Sequence, residues 1–216
     1  MLTQEQENFL KLVSGPRAMK HWRTLHRTRR SWLSDKQFVI TAVRMDGLVL
    51  MYVSDTLKDS IEVVTTAVRQ NGRALAYAST RLRDDKDVVS TAVNNLGIAL
   101  VYASKTMQND PEVVTIAVQN YGSAIKYASE ELRANKQIAL TAIRNDTEAF
   151  QYISVELQND PDIILEMNRK RVNVKRTSKN NQTKFKTKDN EKSFAQIKAR
   201  ILASKQKEND KGLEKK

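Results

Sequence analysis

The stretch DKDVVSTAVNNLGIALVYASKTMQN, residues 85–109, is followed directly by DPEVVTIAVQNYGSAIKYASEELRA, residues 110–134. The two segments have the same length and share residue types at most of their apolar positions. The same 25-residue step extends in both directions, as shown by Tyr52, Tyr77, Tyr102, Tyr127 and Tyr152 and by Gly47, Gly72, Gly97 and Gly122. Periods of 20–50 residues indicate arrays of stacked structural repeats. The middle of the chain therefore predicts a repeat protein.

The pattern within a repeat predicts two short helices. Asp110-Pro111 begins the first helix, because aspartate is a good N-cap and proline fits the first helical position. Gly122 is expected to end that helix with a positive φ. The apolar residues of the first helix lie on one face, as do those predicted for the second helix, which in the second repeat are Ala74, Leu75, Ala78 and Leu82.

Helices of about 10 residues are marginal alone, so they must bury their apolar faces against neighbouring repeats. We therefore predict an all-α fold, an α-solenoid whose stability is the sum of contacts between adjacent repeats. Five repeats and a capping helix occupy residues 35–171, and residues 1–34 form helices that cap the N-terminal end. Residues 172–216 are predicted to be a disordered basic tail with an amphipathic helix at residues 193–206.

The charge is distributed unevenly along the chain. Residues 1–34 carry a net charge of +5, residues 35–164 carry −4 and residues 165–216 carry +11. Basic ends on a mildly acidic centre suggest contact with an anionic partner or a solvated tail.

Amino-acid composition and local sequence patterns also exclude several classes of protein function. The absence of cysteine excludes disulfides, thiolate metal sites and thiol catalysis. There is no transmembrane segment and no ordinary signal peptide, so the expected location is the cytoplasm, or a host cell cytosol reached without an N-terminal signal. His21 and His26 are five residues apart and do not form the i, i+4 pair that binds metal. We expect no catalytic residue, cofactor or metal site, and therefore no enzyme.

The second helix has two kinds of position, and only one of them is expected to bind a protein partner. The tyrosines do not vary between repeats, so we assign them to packing, each hydroxyl reaching a loop backbone group. Positions that vary are better placed to recognise a partner. Two such columns are predicted to face away from the core: Met51, Ala76, Val101, Lys126 and Gln151, and Leu48, Arg73, Ile98, Ser123 and Glu148.

Basic residues offer a different kind of contact. Arg23, Arg27 and Arg30 are spaced to share one helical face that could hold phosphate or an acidic protein surface. Further candidates near the start of the tail are Arg169, Lys170, Arg171, Lys175 and Arg176. Nucleic acid is the alternative partner, although the tail has few aromatic residues for stacking on bases. A solvated tail and cap remain the simpler interpretation.

The repeat pattern D-x-x-V-V-x-x-A-V-x-x-x-G-x-A-L-x-Y-A-S-x-x-L-R resembles the domain-of-unknown-function family 4116 (DUF4116) over residues 35–165. The departures Thr147, Ile153 and Met167 suggest that the last repeats diverge toward a cap. The resemblance implies a helical repeat protein of undefined activity, of a kind common in intracellular bacteria that deliver effectors and in large viruses of protists. It supplies no catalytic residue. We therefore expect a protein-binding scaffold, and the resemblance suggests a secreted effector acting on a host protein.

Overall fold

The computed structural model describes residues 2–13 and 18–169. The chain divides into two compact units, Met1–Asn159 and Asp160–Lys216. No strand occurs in the described ranges, and tandem helical units fill the first unit. The predicted all-α repeat fold is confirmed.

Each 25-residue repeat between residues 35 and 159 contains three helical pieces. A ten-residue α-helix comes first, in the order Lys36–Met45, Ile61–Gln70, Lys86–Asn95, Pro111–Asn120 and Lys136–Asn145. A six-residue 3-10 helix follows, at Gly47–Tyr52, Gly72–Tyr77, Gly97–Tyr102, Gly122–Tyr127 and Thr147–Tyr152. A short turn of helix closes the repeat, at Asp55–Lys58, Leu82–Asp84, Lys105–Gln108, Glu130–Arg133 and Val155–Gln158.

The α-helices begin as the sequence predicts. Asp110 accepts hydrogen bonds from the N–H groups of Glu112 and Val113, and Pro111 occupies the first turn. The four apolar residues of this helix, Val113, Val114, Ala117 and Val118, are fully buried. Successive α-helices pack side by side, as do successive 3-10 helices, so the core lies between two helical layers.

The second helix predicted for each repeat is not one continuous helix. The backbone becomes extended at Ala78, with φ −67° and ψ 156°, which separates the 3-10 helix from the closing turn. The apolar residues nevertheless face the core, because three residues per turn place Gly72, Leu75 and Ala78 on one side. That spacing of three is visible in the sequence and fits a 3-10 helix better than an α-helix.

The repeated glycines are needed for a different reason from the one expected. No positive φ is found at Gly47, Gly72, Gly97 or Gly122, so that prediction is wrong. The glycine instead begins the 3-10 helix and lies against the α-helix of the next repeat. A Cβ atom on Gly97 would lie 2.5 Å from the carbonyl oxygen of Ala117 and 2.9 Å from the Cβ of Tyr121. Any side chain there would force neighbouring repeats apart.

A polar side chain at the end of each following α-helix completes this contact. The Oδ1 atom of Asn120 accepts a hydrogen bond of 2.8 Å from Gly97 N–H, and its Nδ2 atom donates one of 2.9 Å to the carbonyl of Asn94. Because the last carbonyls of a helix have no partner within it, the amide satisfies both a donor and an acceptor of the preceding repeat. The same bridge is formed by Gln70, Asn95 and Asn145.

The N-terminal helices pack on the first repeat through aromatic residues. Gln4–Leu12 begins with a capping box at Thr3, and Ala18–Thr28 and the 3-10 helix Arg30–Ser34 follow. The ring of Trp22, which is buried, lies 5.1 Å from that of Phe9 and 6.1 Å from that of Phe38. These rings cover the core residues of the first repeat.

The second compact unit is described only at its start. Residues 161–169 form a helix capped by Asp160, whose Oδ1 atom accepts hydrogen bonds from the N–H groups of Asp162 and Ile163. The predicted tail at residues 172–216, with its amphipathic helix at residues 193–206, lies outside the described residues.

Replacing Gly97 with alanine tests the close approach between repeats. The added methyl group overlaps the carbonyl oxygen of Ala117, so we expect Gly97→Ala to lower the free energy of unfolding by about 1–3 kcal/mol. The measurement is urea unfolding followed by circular dichroism. Thr147→Ala is the matched control, because Thr147 takes the glycine position in the last repeat of the unit Met1–Asn159. An equal effect of both changes would contradict this explanation.

Replacing Asn120 with alanine tests the amide bridge. Removal of the side chain leaves Gly97 N–H and the carbonyl of Asn94 without this partner, and we expect a loss of about 1–3 kcal/mol. Gln119→Ala, an exposed neighbour on the same helix, should change the stability by less than about 0.5 kcal/mol. Comparable urea midpoints for the two variants would show that the bridge adds little.

Candidate binding surface

The two variable columns predicted from the sequence lie on the same side of the 3-10 layer. Because a 3-10 helix has three residues per turn, Ile98 and Val101 are aligned along its axis, and the other repeats repeat this arrangement. We call this surface the 3-10 face. It consists of residues 48, 51, 73, 76, 98, 101, 123, 126, 148 and 151.

Most of the predicted partner-binding residues are accessible on the 3-10 face. Arg73, Val101 and Gln151 are exposed, and Ala76, Ile98 and Lys126 are half-buried.

Ser123 does not fit the expected outward orientation, since only 2% of its surface is exposed. Its hydroxyl donates a hydrogen bond to the carboxylate of Asp146 in the next repeat, which draws the side chain into the contact between repeats.

The third and fourth repeats have apolar residues where other repeats have polar caps. At the start of the 3-10 helix, Asp46, Asn71 and Asp146 each accept a hydrogen bond from the N–H group two residues later. Leu96 and Tyr121 occupy this position in the third and fourth repeats and form no such cap. Tyr121 is 39% exposed, and Val101 on the 3-10 face is 37% exposed.

Leu96 and Tyr121 leave the start of their 3-10 helices without a side-chain cap. A side-chain cap typically stabilises an α-helix by about 1 kcal/mol, and a leucine or tyrosine cannot supply it. Sequence reasoning missed Leu96 and Tyr121, although the series Asp46, Asn71, Leu96, Tyr121 and Asp146 contains the signal.

Cationic groups flank the apolar centre of the 3-10 face. Arg73 is exposed on one side, and on the other the Nζ atom of Lys126 lies 4.8 Å from the ring centroid of Tyr127 and 5.7 Å from that of Tyr152. A hydrogen bond with Tyr127 raises the pKa of Lys126, and the phenol groups of Tyr152 and Tyr121 act in the same direction. The phenol of Tyr121 therefore lies within electrostatic reach of the lysine.

The tyrosine column is only partly buried. All five rings, from Tyr52 to Tyr152, are half-buried. In the described part of the chain, no hydrogen bond joins their hydroxyls to a loop backbone group, so that detail of the prediction is wrong. Part of each tyrosine is therefore accessible at the surface.

On the α-helical side of the array, ion pairs connect adjacent repeats. The ammonium group of Lys86 lies 2.9 Å from Asp110 and 2.8 Å from Glu112 of the next repeat, which raises its pKa, Glu112 contributing most. Partial burial works to raise the pKa of Asp110. The N–H groups of Val113 and Glu112 and the charge of Lys86 outweigh it and hold this pKa below its ordinary value.

The predicted anion-binding arginines do not form the expected single face. Arg23 and Arg27 are exposed on the helix Ala18–Thr28, but that helix ends before Arg30, which begins the next 3-10 helix. The expectation that all three share one helical face is therefore wrong. Arg169 is exposed and lies 3.8 Å from Glu166. The remaining candidates, Lys170, Arg171, Lys175 and Arg176, lie outside the described residues.

No helix in residues 2–13 and 18–169 is long and apolar enough to cross a membrane.

Comparison with known proteins identifies one family. Its model, described as domain of unknown function (DUF4116), matches residues 35–83, 85–133 and 135–174. The first two matches each cover two of the 25-residue repeats, so the family unit is a pair of repeats. No curated protein and no solved structure matches the chain. The matches cover more than half of the sequence, and the chain belongs to the DUF4116 family.

Proposed function

We propose that this chain is a non-enzymatic scaffold that binds a protein partner on its 3-10 face. The observation that carries the proposal is the replacement of polar caps by Leu96 and Tyr121 in the third and fourth repeats, the third of which also presents Ile98 and Val101 on the 3-10 face. Exposed aromatic and aliphatic residues supply binding energy when a partner covers them, and they do not help an isolated protein in water.

The charges on the surface suggest the character of the partner. Arg73 and Lys126 lie on either side of the apolar centre, and Glu148 follows in the last repeat. A partner segment with an apolar or aromatic anchor flanked by carboxylates complements this arrangement. The family resemblance suggests a context, namely an effector that is delivered into a host cell cytosol and holds a host protein there.

An alternative function is association with nucleic acid through the basic tail and the N-terminal arginines. The exposed side chains of Arg23 and Arg27 support it, because no carboxylate lies within ion-pair distance of them among the residues that the structure describes. This mode predicts binding to any polyanion, with an affinity that falls steeply as salt increases. Binding on the 3-10 face depends much less on salt.

The decisive variant is Tyr121→Asn, because it separates stability from binding. The substitution supplies a side-chain oxygen for Ser123 N–H, as Asn71 does for Arg73 N–H, so stability should be equal or higher. It also removes an exposed aromatic ring, and we expect at least a tenfold loss of affinity for the partner. Binding is measured by interferometry with the immobilised full chain against the partner recovered from host lysate.

The control changes an exposed apolar residue on the α-helical side. Ile61 is 52% exposed at the start of the helix Ile61–Gln70, and Ile61→Asn should leave partner binding within about twofold, because this residue lies outside the proposed contact. Equal affinities for the two variants would disprove binding on the 3-10 face. Loss of all binding upon Arg23→Glu and Arg27→Glu, together with a steep salt dependence, would favour the nucleic-acid alternative.

A further inference from the structure

A concave pocket lies beside the first repeat, away from the apolar centre of the 3-10 face. Its volume is about 350 Å³, within the range of small-molecule sites. The polar side chains that line it come from both the N-terminal helices and the first repeat: His26, Arg30, Ser34, Tyr52, Ser54 and Lys58. We call it the His26 pocket.

The His26 pocket occurs where a contact between repeats is interrupted. In the second to fourth repeats a serine hydroxyl donates a hydrogen bond to an acceptor twenty residues earlier: Ser79 to Asp59, Ser104 to Asp84 and Ser129 to Asn109. In the fifth repeat the equivalent partner of Ser154 is Ala134, which has no side-chain acceptor. The equivalent partner of Ser54 is Ser34, which has no carboxylate or amide. Ser54 instead shares a hydrogen bond of 3.0 Å with the hydroxyl of Thr56. A neutral hydroxyl therefore takes the position that holds a carboxylate in the next two contacts.

Cationic groups surround this position. Arg30 lines the pocket from the N-terminal side, and the ring of His26 lies 5.7 Å from that of Tyr52. Lys58 enters from the closing turn of the first repeat, and its side chain is 24% exposed. The same position holds Arg83 and Arg133 in the second and fourth repeats, and Gln108 and Gln158, which donate to main-chain carbonyls, in the third and fifth. The first repeat therefore has a charged donor at this position, as the second and fourth repeats do.

One carboxylate opposes these charges. Asp55 also lines the pocket, and its Oδ1 atom lies 3.2 Å from the Nζ atom of Lys58. Its side chain is 98% exposed, so water screens this ion pair strongly and it contributes little. Arg30 and Lys58 outnumber it.

We infer that the His26 pocket binds the phosphate group of a phosphate monoester. Arg30 and Lys58 supply positive charge and several donors, which suit the oxygens of a phosphate. The hydroxyls of Ser34, Ser54 and Tyr52 are able to donate to the remaining oxygens. The volume exceeds that of a phosphate ion, which leaves room for the organic group of the ester.

The substitution Ser34→Asp tests the inference without damaging the fold. It places a carboxylate opposite the hydroxyl of Ser54, the arrangement that Asp59 and Ser79 adopt in the next contact. Thermal stability should be unchanged or higher, whereas phosphate binding should weaken at least tenfold through repulsion. Ser31→Asp is the matched control, because it adds the same charge at an exposed position that does not line the pocket.

The readout must be local, because the full chain carries many other basic residues. Inorganic phosphate and O-phosphoserine are titrated into the isotope-labelled full chain, and amide shifts of Ser54 and ring shifts of His26 are followed by NMR. Saturable shifts in the wild type and in Ser31→Asp, lost in Ser34→Asp and in Arg30→Gln, support the site. Tighter binding of O-phosphoserine than of inorganic phosphate would additionally show that the organic group of the ester occupies the part of the pocket that a phosphate ion leaves empty.

Two results would overturn the inference. One is the absence of saturable shifts at Ser54 and His26 with either probe. The other is the persistence of those shifts in Ser34→Asp when its thermal midpoint shows that it is folded. Neither result bears on partner binding by the 3-10 face, which is measured with different variants.

Discussion

The contact between the glycine of one repeat and the α-helix of the next is the constraint on which the fold depends. At Gly97, a hydrogen atom in place of a side chain lets the 3-10 helix approach the carbonyl of Ala117, and Asn120 can then reach both Gly97 N–H and the carbonyl of Asn94. The close approach and the amide bridge require each other. Repeated along the array, they fix the distance between the layers, and the fully buried valines and alanines fill the space that results.

Much of the fold is predictable because the repeats provide independent copies of the same information. The positions of Asp110, Pro111 and the buried valines identify the α-helices, since caps and apolar spacing act locally. The 3-10 helices were not predicted, because a segment of six residues is too short to distinguish the three-residue spacing of a 3-10 helix from the spacing of three and four residues in an α-helix. The role of glycine was misassigned for another reason: a helix end and a close contact both favour glycine, and only the position of the neighbouring repeat distinguishes them.

The candidate surface could be predicted only in part. Variation between repeats identified Arg73, Val101, Lys126 and Gln151, which are accessible, but it also selected Ser123, whose burial depends on Asp146 in the following repeat. Leu96 and Tyr121 were overlooked because an apolar residue in a sequence pattern is ordinarily assigned to the core. Their significance becomes clear only when the same position in other repeats is seen to cap a helix.

The amide bridges have a consequence for how the array assembles and comes apart. Each bridge joins residues only 23 to 26 positions apart, so the bonds that hold neighbours together close short loops. Short loops cost little entropy, which favours rapid folding that spreads from one formed pair to the next. A pulling force on the two ends of the array should accordingly release it in steps of about one repeat rather than in a single rupture.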